Sequence, residues 1–332
     1  MIQTSNVAPA AKPRGSASLS WARRLTGILE IRMGLLALAL GLILSLLSPY
    51  FLTTNNLLNL LDQSVVVGIV AIGMTFVILT GGIDLSVGSV AGLTGVVLGL
   101  ALQQFPIPVA IALAILSGAG IGLLSGVLVG QFGLAAFVVT LGVMAIGRSL
   151  AYIFSGATSI TNLPSNMSDI VYASFLGLPA NVLALLTLYV AAWGYLTYTK
   201  GGRTIYAIGS NREAARTAGL NVVLYSIVPY VVSGALAAVA TTFSSAQIMS
   251  IDPLAGTGLE LDAIAAVVIG GASLFGGRGS LIGTLIGVFI MVMIRNGLNL
   301  MGVSPFWQGS AVGGVIIAAV LIERIVSRRA GR

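Results

Sequence analysis

The chain has 332 residues, of which 57% are hydrophobic and 8% charged, and its formal net charge is +7. A soluble domain carries about a quarter charged residues, so this chain cannot present an ordinary water-facing surface. It has no cysteine and no histidine, which excludes disulfides, thiol chemistry, Ser-His-Asp or Cys-His catalysis and zinc sites.

The apolar residues fall in continuous runs of about 20, the length a helix needs to cross a bilayer. A transmembrane barrel would show short alternating segments instead. The 43 glycines suit helices whose backbones approach closely in lipid. The composition specifies an all-α polytopic membrane protein. Lys12 and Lys200 both lie outside any Gly-Lys-Ser/Thr phosphate loop, so ATP chemistry must come from another chain. The basic residues gather at the tails and in one central loop, a membrane-orientation pattern and not a nucleic-acid footprint.

In chain order, residues 1–17, with Lys12 and Arg14, read as a disordered tail. Residues 18–32, "SLSWARRLTGILEIR", read as an interfacial helix anchored by Trp21, with Arg23 and Arg24 opposite Leu25, Ile28 and Leu29. No cleaved signal peptide is expected, because the first apolar run begins near Met33 and lacks a cleavage site. Ten spans follow, at about 33–51, 60–80, 84–102, 107–130, 134–155, 181–199, 222–248, 261–277, 280–302 and 308–323. They make 33–323 a single transmembrane domain between the 1–32 tail and a basic 324–332 tail.

With both termini in the cytoplasm, the inner loops hold Lys200, Arg203, Arg212, Arg216, Arg278 and the tail residues Arg324, Arg328, Arg329 and Arg332. The outer loops 156–180 and 249–260 hold Asp169, Asp252 and Glu260 but no Lys or Arg. This is the positive-inside pattern. Arg148 and Arg295 fall near the outer ends of spans, where they can snorkel or pair. Ten spans in two sets of five place the second set upside down relative to the first. "GIDL" (82–85) opens the third span and "GLEL" (258–261) opens the eighth, a faint echo expected at opposite membrane faces in an inverted repeat.

Asp84 is the only charged residue between Gln63 and Gly147. It follows Gly81-Gly82 and precedes Ser86, where one span stops and another starts. Two readings stand: Asp84 caps the third span, or the glycine break lines a translocation path and Asp84 with Ser86 forms a gate. A proton relay would need ionisable partners close by, and the second to fourth spans offer only Asp62, at the far end of the second. Asn296 and Asn299, beside Arg295, are either pore-facing or bonded between helices.

The loop 199–222, "TKGGRTIYAIGSNREAARTAGLNV", carries Ser210 and Glu213 in S-x-x-E capping-box spacing, followed by helix formers and Gly219. The pattern predicts a charged, solvent-facing helix over 210–219. The competing reading is a connecting turn whose basic residues only set orientation, but a bare turn needs only about two to eight residues, which favours a docking element.

The stretches "GGIDLSVGS", "GSNREAARTAGLNV", "ELDAIAAVVIGGASLFGGRGS" and "NGLNLMGVSPFWQ" resemble the membrane permease of ribose-type ABC sugar importers. That binding-protein-dependent family also includes xylose, arabinose and galactose permeases. The likeness runs from about Leu57 to Glu323. It implies that Ser210, Asn211, Arg212, Glu213, Ala214, Ala215, Arg216 and Gly219 form the segment that couples to an ATP-binding subunit. It implies further a second permease copy, a periplasmic binding protein, and residence in the bacterial inner membrane. Asp169, Asp252, Glu260 and Asp262 are then docking candidates for the binding protein. The chain itself would bind no cofactor or metal and catalyse nothing, ATP and Mg being used by the partner. The competing functions are permease for a branched-chain amino acid or nucleoside, an ion-coupled secondary transporter, and an intramembrane enzyme. "GGIDLSVGS" favours sugars, and the scarcity of intramembrane acids disfavours ion coupling.

Overall fold

The computed structural model describes residues 29–175 and 177–330. The 1–17 tail, the Trp21–Arg24 part of the expected interfacial helix and Arg332 lie outside the described residues.

Helices make up nearly all of the described chain. They are α1 (Leu29–Leu47), α2 (Thr54–Leu79), α3 (Val87–Leu102), α4 (Ile107–Gly130), α5 (Ala136–Ser155), α6 (Asp169–Tyr172), α7 (Ala180–Tyr198), α8 (Lys200–Ser210), α9 (Arg212–Thr217), α10 (Val222–Ile248), α11 (Leu259–Ile269), α12 (Leu281–Leu300) and α13 (Pro305–Ala330). Between α6 and α7, strands β1 (Ser174–Phe175) and β2 (Leu178–Pro179) pair antiparallel.

Among the described residues, seven helices are long and apolar enough to cross a membrane: α1, α2, α4, α5, α7, α10 and α12. The third and eighth expected spans contain shorter helices, α3 with 16 residues and α11 with 11. At about 1.5 Å per residue neither covers a hydrocarbon core of about 30 Å.

The centre of the bundle is α2 against α10. Every residue of α2 from Gly68 to Leu79 is buried, as expected of a helix that is apolar on all sides. α4 docks on α10 through a ridge of small residues four apart, Ala110, Ala114, Gly118, Gly122, Gly126 and Gly130. The contact is backbone on backbone: a Cβ added to Gly118 would stand 2.3 Å from the Gly234 carbonyl, and one on Gly122 would stand 2.1 Å from that of Tyr230. Small residues at i, i+4 allow this approach in lipid.

Two polar pairs join helices across the bundle. Thr75 of α2 bonds Thr284 of α12 at 2.9 Å. Asn56 and Asn296 exchange two amide hydrogen bonds, at 3.0 and 2.7 Å.

One end of the bundle gathers the C-terminus of α2, α8, α9 and the 273–279 loop. Gly277 donates to the Leu79 carbonyl at 3.0 Å, and Tyr206 donates to that of Gly279 at 2.9 Å. Lys200, Arg203, Arg212, Arg216 and Arg278 belong to these elements, and this is called the basic end. The other end carries the 156–180 and 249–258 connections, joined by an Ile160–Ile251 bridge.

The 199–222 loop contains two helices where the sequence pattern predicted one. Thr199 caps α8 by accepting from Gly202. Ser210 is the last residue of α8, and its hydroxyl donates back to the Tyr206 carbonyl at 2.9 Å. The cap of α9 is Asn211, whose side chain accepts from the Ala214 amide at 2.9 Å. The expected Ser210–Glu213 capping box is therefore displaced by one residue, because α8 continues through Ser210 and leaves Asn211 as the first extended residue. Gly219, at φ +77°, follows the helix end, and the Leu220 amide closes back on the Ala215 carbonyl at 3.1 Å.

Candidate functional site

The chain breaks between α2 and α3. Gly81 takes φ +79°, a conformation nearly free for glycine alone. Gly82 presses on Tyr230 so closely that an added Cβ would lie 2.3 Å from its hydroxyl. Asp84 follows, 3% exposed. One carboxylate oxygen accepts from the Ser86 amide at 3.0 Å and the Ser86 hydroxyl at 2.6 Å. The other accepts from the Ser233 hydroxyl of α10 at 2.8 Å. Buried carboxyl groups are costly without such donors, and three are supplied. Asp84 thus serves the start of α3 and also ties that start to the middle of α10. Thr140 of α5 adds a bond to the Ile83 carbonyl at 3.2 Å.

A second irregular stretch meets this region. After α10, Met249 turns the chain at φ 53°, and the segment to Gly258 runs down α3. Its track is a seam of glycines on α3. Cβ atoms added at Gly99 and Gly95 would meet Ile251, one at Gly92 the Pro253 and Ala255 carbonyls, and one at Gly88 the Gly256 carbonyl at 2.3 Å. The seam from Gly99 to Gly88 is about 16 Å long, so this connection descends along α3 with Ile251 and Pro253 buried against it, while Asp252, Leu254 and Thr257 stay exposed. Irregular backbone at such depth needs internal partners. Arg148 of α5 supplies them, donating to the Pro253 and Ala255 carbonyls at 2.9 and 3.2 Å.

The segment delivers α11 with its N-terminus beside that of α3. A Cβ on Gly88 would lie 2.2 Å from the Glu260 carboxylate. The "GIDL" and "GLEL" stretches, expected at opposite membrane faces, therefore begin two half-length helices that meet inside the bundle. Their hydropathy did not distinguish a half-span from a full one, because each helix is extended by an apolar loop.

Two cavities open on either side of the Asp84–Ser233 contact. The one at the basic end, about 470 Å³, is bordered by Gly81, Gly82, Arg212, Arg216, Ser226 and Tyr230. The Ser226 and Tyr230 hydroxyls are buried there without a hydrogen-bond partner. The other, about 510 Å³, lies toward the acidic connections and is lined among others by Asp62, Thr241, Ser245, Gln247, Asp262 and Arg295. Ser226, Tyr230, Ser233, Thr241, Ser245 and Gln247 all lie on α10. A single helix therefore borders both cavities and carries the contact between them.

The other expected site residues are distributed as follows. Asn296 uses both ends of its amide on Asn56, and Asn299 accepts from Gln308 at 2.6 Å; neither borders a cavity. Asp169 and Asp252 are exposed, the latter accepting from the Leu254 amide at 2.8 Å. Asp262 is not on the surface: its side chain is 5% exposed and bridges Arg295 at 2.7 Å. Its expected place at the outer mouth, where it would cap the eighth span or touch a binding protein, differs from the structure because the 249–258 segment carries it inward. On α9, Glu213 and Arg216 approach at 3.8 Å with both side chains largely exposed, while Ala215 is buried. Arg212 reaches the Gly130 carbonyl at 3.4 Å. Burial raises the Tyr206 phenol above its ordinary value, keeping it the donor that fastens α8 to the 273–279 loop.

The sequence reading missed Ser233, Asp62 and the partner of Arg148. Ser233 sits in an apolar span with nothing local to mark it.

A multi-span helical bundle with two interior half-helices and cavities on both sides of a buried polar contact is a membrane transport permease. Residues 56–321 match the family described as the branched-chain amino acid transport system permease component, and the chain belongs to this family. It is 42% identical over 305 residues to the ribose import permease protein RbsC of Escherichia coli strain K12, covering 89% of this chain and 94% of that protein. It is 42% identical over 288 residues to RbsC of Bacillus subtilis strain 168, covering 86% and 89%. To the D-allose transport system permease protein AlsC of Escherichia coli K12 it is 37% identical over 296 residues, covering 89% and 91%. No solved structure matches. The chain is a multi-pass protein of the inner membrane.

Proposed function

We propose that this chain is the permease subunit of an ATP-driven importer and forms the path for a monosaccharide. The observation that carries the reading is α10: one helix borders both cavities, carries the Asp84 contact between them, and follows directly on exposed α9. The ribose and allose permeases among its relatives support a pentose or hexose as cargo.

In this reading the basic end is cytoplasmic, both termini lie there, and ten crossings form two inverted halves. A separate ATPase, using ATP and Mg, grips Ser210 to Gly219 through the exposed Arg212, Glu213 and Arg216. A periplasmic binding protein docks on the opposite end over the exposed Asp169 and Asp252, and a second copy of the chain completes the complex. ATP-driven closure moves α9, and α10 transmits that motion to the Asp84–Ser233 latch. The two cavities then open alternately. No bond of the sugar changes.

The test is affinity purification of the tagged chain from its native membrane, with and without Glu213→Ala plus Arg216→Ala. An ATPase subunit co-purifies with the parent chain and hydrolyses ATP, and the double variant loses it. If the parent chain retains no ATPase in several gentle detergents, the importer reading fails and ion-coupled transport replaces it.

A further inference from the structure

We infer that the 510 Å³ cavity is a transit site that holds the sugar by its hydroxyl groups, with Asp62, Asp262 and Arg295 as the polar anchors. This rests on the sugar-importer reading above. Ligand cavities of about 300–1,000 Å³ suit small molecules, so a monosaccharide fits with room for water.

Three helices hold the anchors. Asp62 of α2 has one oxygen fixed by the Asn181 amide at 2.9 Å, so its orientation is set before any ligand arrives. Arg295 of α12 spends one terminal nitrogen on Asp262 of α11, at 2.7 Å. Its Nε is buried and has no hydrogen-bond partner. The side chain as a whole stays 37% exposed and borders the cavity, so the accessible edge of the guanidinium can donate to a hydroxyl oxygen. Gln247 and Thr257, on the same wall, can both donate and accept.

The charges discriminate between solute classes. Among the described residues, Asp62, Asp252 and Asp262 border the cavity against Arg295 as its one basic residue, and that arginine is already paired with Asp262. An amino acid would bring its carboxylate into this excess of negative charge with no free cation to meet it. A neutral polyol brings hydroxyls that donate to the carboxylates and accept from the guanidinium. The binding is weak by design of the lining: among the described residues no aromatic face borders the cavity to stack on a sugar ring, as suits a site that must release its cargo.

The absence of native cysteine makes the test clean. Ser244→Cys places one thiol per permease copy on the cavity wall of the full importer complex in lipid nanodiscs, without binding protein. Its modification by a charged methanethiosulfonate reagent is timed with D-ribose, D-allose or L-leucine present. A sugar at about ten times its dissociation constant should slow the reaction about tenfold, by the factor 1 + [L]/Kd. Leucine should leave it unchanged. Asp62→Asn and, separately, Arg295→Lys should each abolish the protection while the complex still assembles and the thiol still reacts. A Gln131→Cys reporter in the opposite cavity should show no protection. If no monosaccharide protects Ser244→Cys while the complete system with binding protein still imports sugar, the site is wrong and the importer reading survives. Protection by leucine together with absent sugar import overturns both.

Discussion

Ser233 donates a 2.8 Å hydrogen bond to Asp84 midway along α10, between the two cavities that this helix borders. The contact joins the α2–α3 break to the helix that follows α9. Ser233→Ala removes one of three donors to a buried carboxyl, a loss of about 1.5–3 kcal/mol if the group is charged. In the reconstituted importer, ATP hydrolysis should persist while sugar transported per ATP falls. The Asp84→Asn/Ser233→Ala double variant should be no worse than the more damaged single, because both remove the same contact. Additive losses in a double-mutant cycle of transport rates would show that the two side chains act independently.

The glycine seam on α3 gives a steric prediction. A Cβ at Gly88 meets backbone at 2.3 Å, whereas one at Gly120 of α4 has nothing within 4 Å. Gly88→Ala must displace the 249–258 segment, and such overpacking costs about 1–3 kcal/mol. Gly120→Ala in a helix interior should be neutral or stabilising by up to about 1 kcal/mol. Unfolding in mixed micelles and the monodisperse fraction on size-exclusion chromatography read the difference directly. Equal behaviour of the two variants would mean that the segment does not sit in the seam.

Much of the bundle is legible in the chain because it depends on local composition. The long apolar runs locate the spans, and Gly81-Gly82 followed by Asp84 marks the break. The depth of the 249–258 segment is not legible, because it is set by a match between glycine spacing on α3 and a backbone about 160 residues later. Read alone, Asp252 and Glu260 make that segment an outer loop. The same hidden pairing misplaced Asp262, whose partner Arg295 is remote in sequence. Within 199–222 the error is smaller and local. Ser210 and Asn211 are both good caps, and the choice between them turned on α8, whose Gly201 and Gly202 disguise it as a turn.

Arg148 holds the re-entrant segment through one terminal nitrogen, Nη1, which donates to both the Pro253 and the Ala255 carbonyls. Arg148→Met should free the segment. Two charge-assisted bonds of about 1.5–3 kcal/mol each would raise amide exchange in 251–258 by about tenfold or more. Arg148→Lys should fall between the two, since an ammonium can also donate to two carbonyls from one nitrogen but sits on a shorter side chain. Exchange in 212–217, at the other end of the bundle, serves as the control and should not move. Unchanged protection of 251–258 in Arg148→Met would remove Arg148 from its proposed role.

The cap of α9 separates folding from docking. Asn211→Ala withdraws the acceptor from the Ala214 amide and should destabilise the short helix by about 1 kcal/mol. Ser210→Ala, which loses only a bond back to Tyr206, should leave the helix in place. Glu213→Ala and Arg216→Ala break an exposed pair worth about 0–1 kcal/mol, so the unfolding midpoint should hardly change. If α9 seats in an ATPase, Asn211→Ala weakens co-purification in step with helix loss, while the Glu213/Arg216 pair abolishes it without unfolding anything. A matched fall in stability and ATPase recovery for all three changes would mean that these residues maintain the fold alone. The docking role of α9 would then have to move to another part of the basic end.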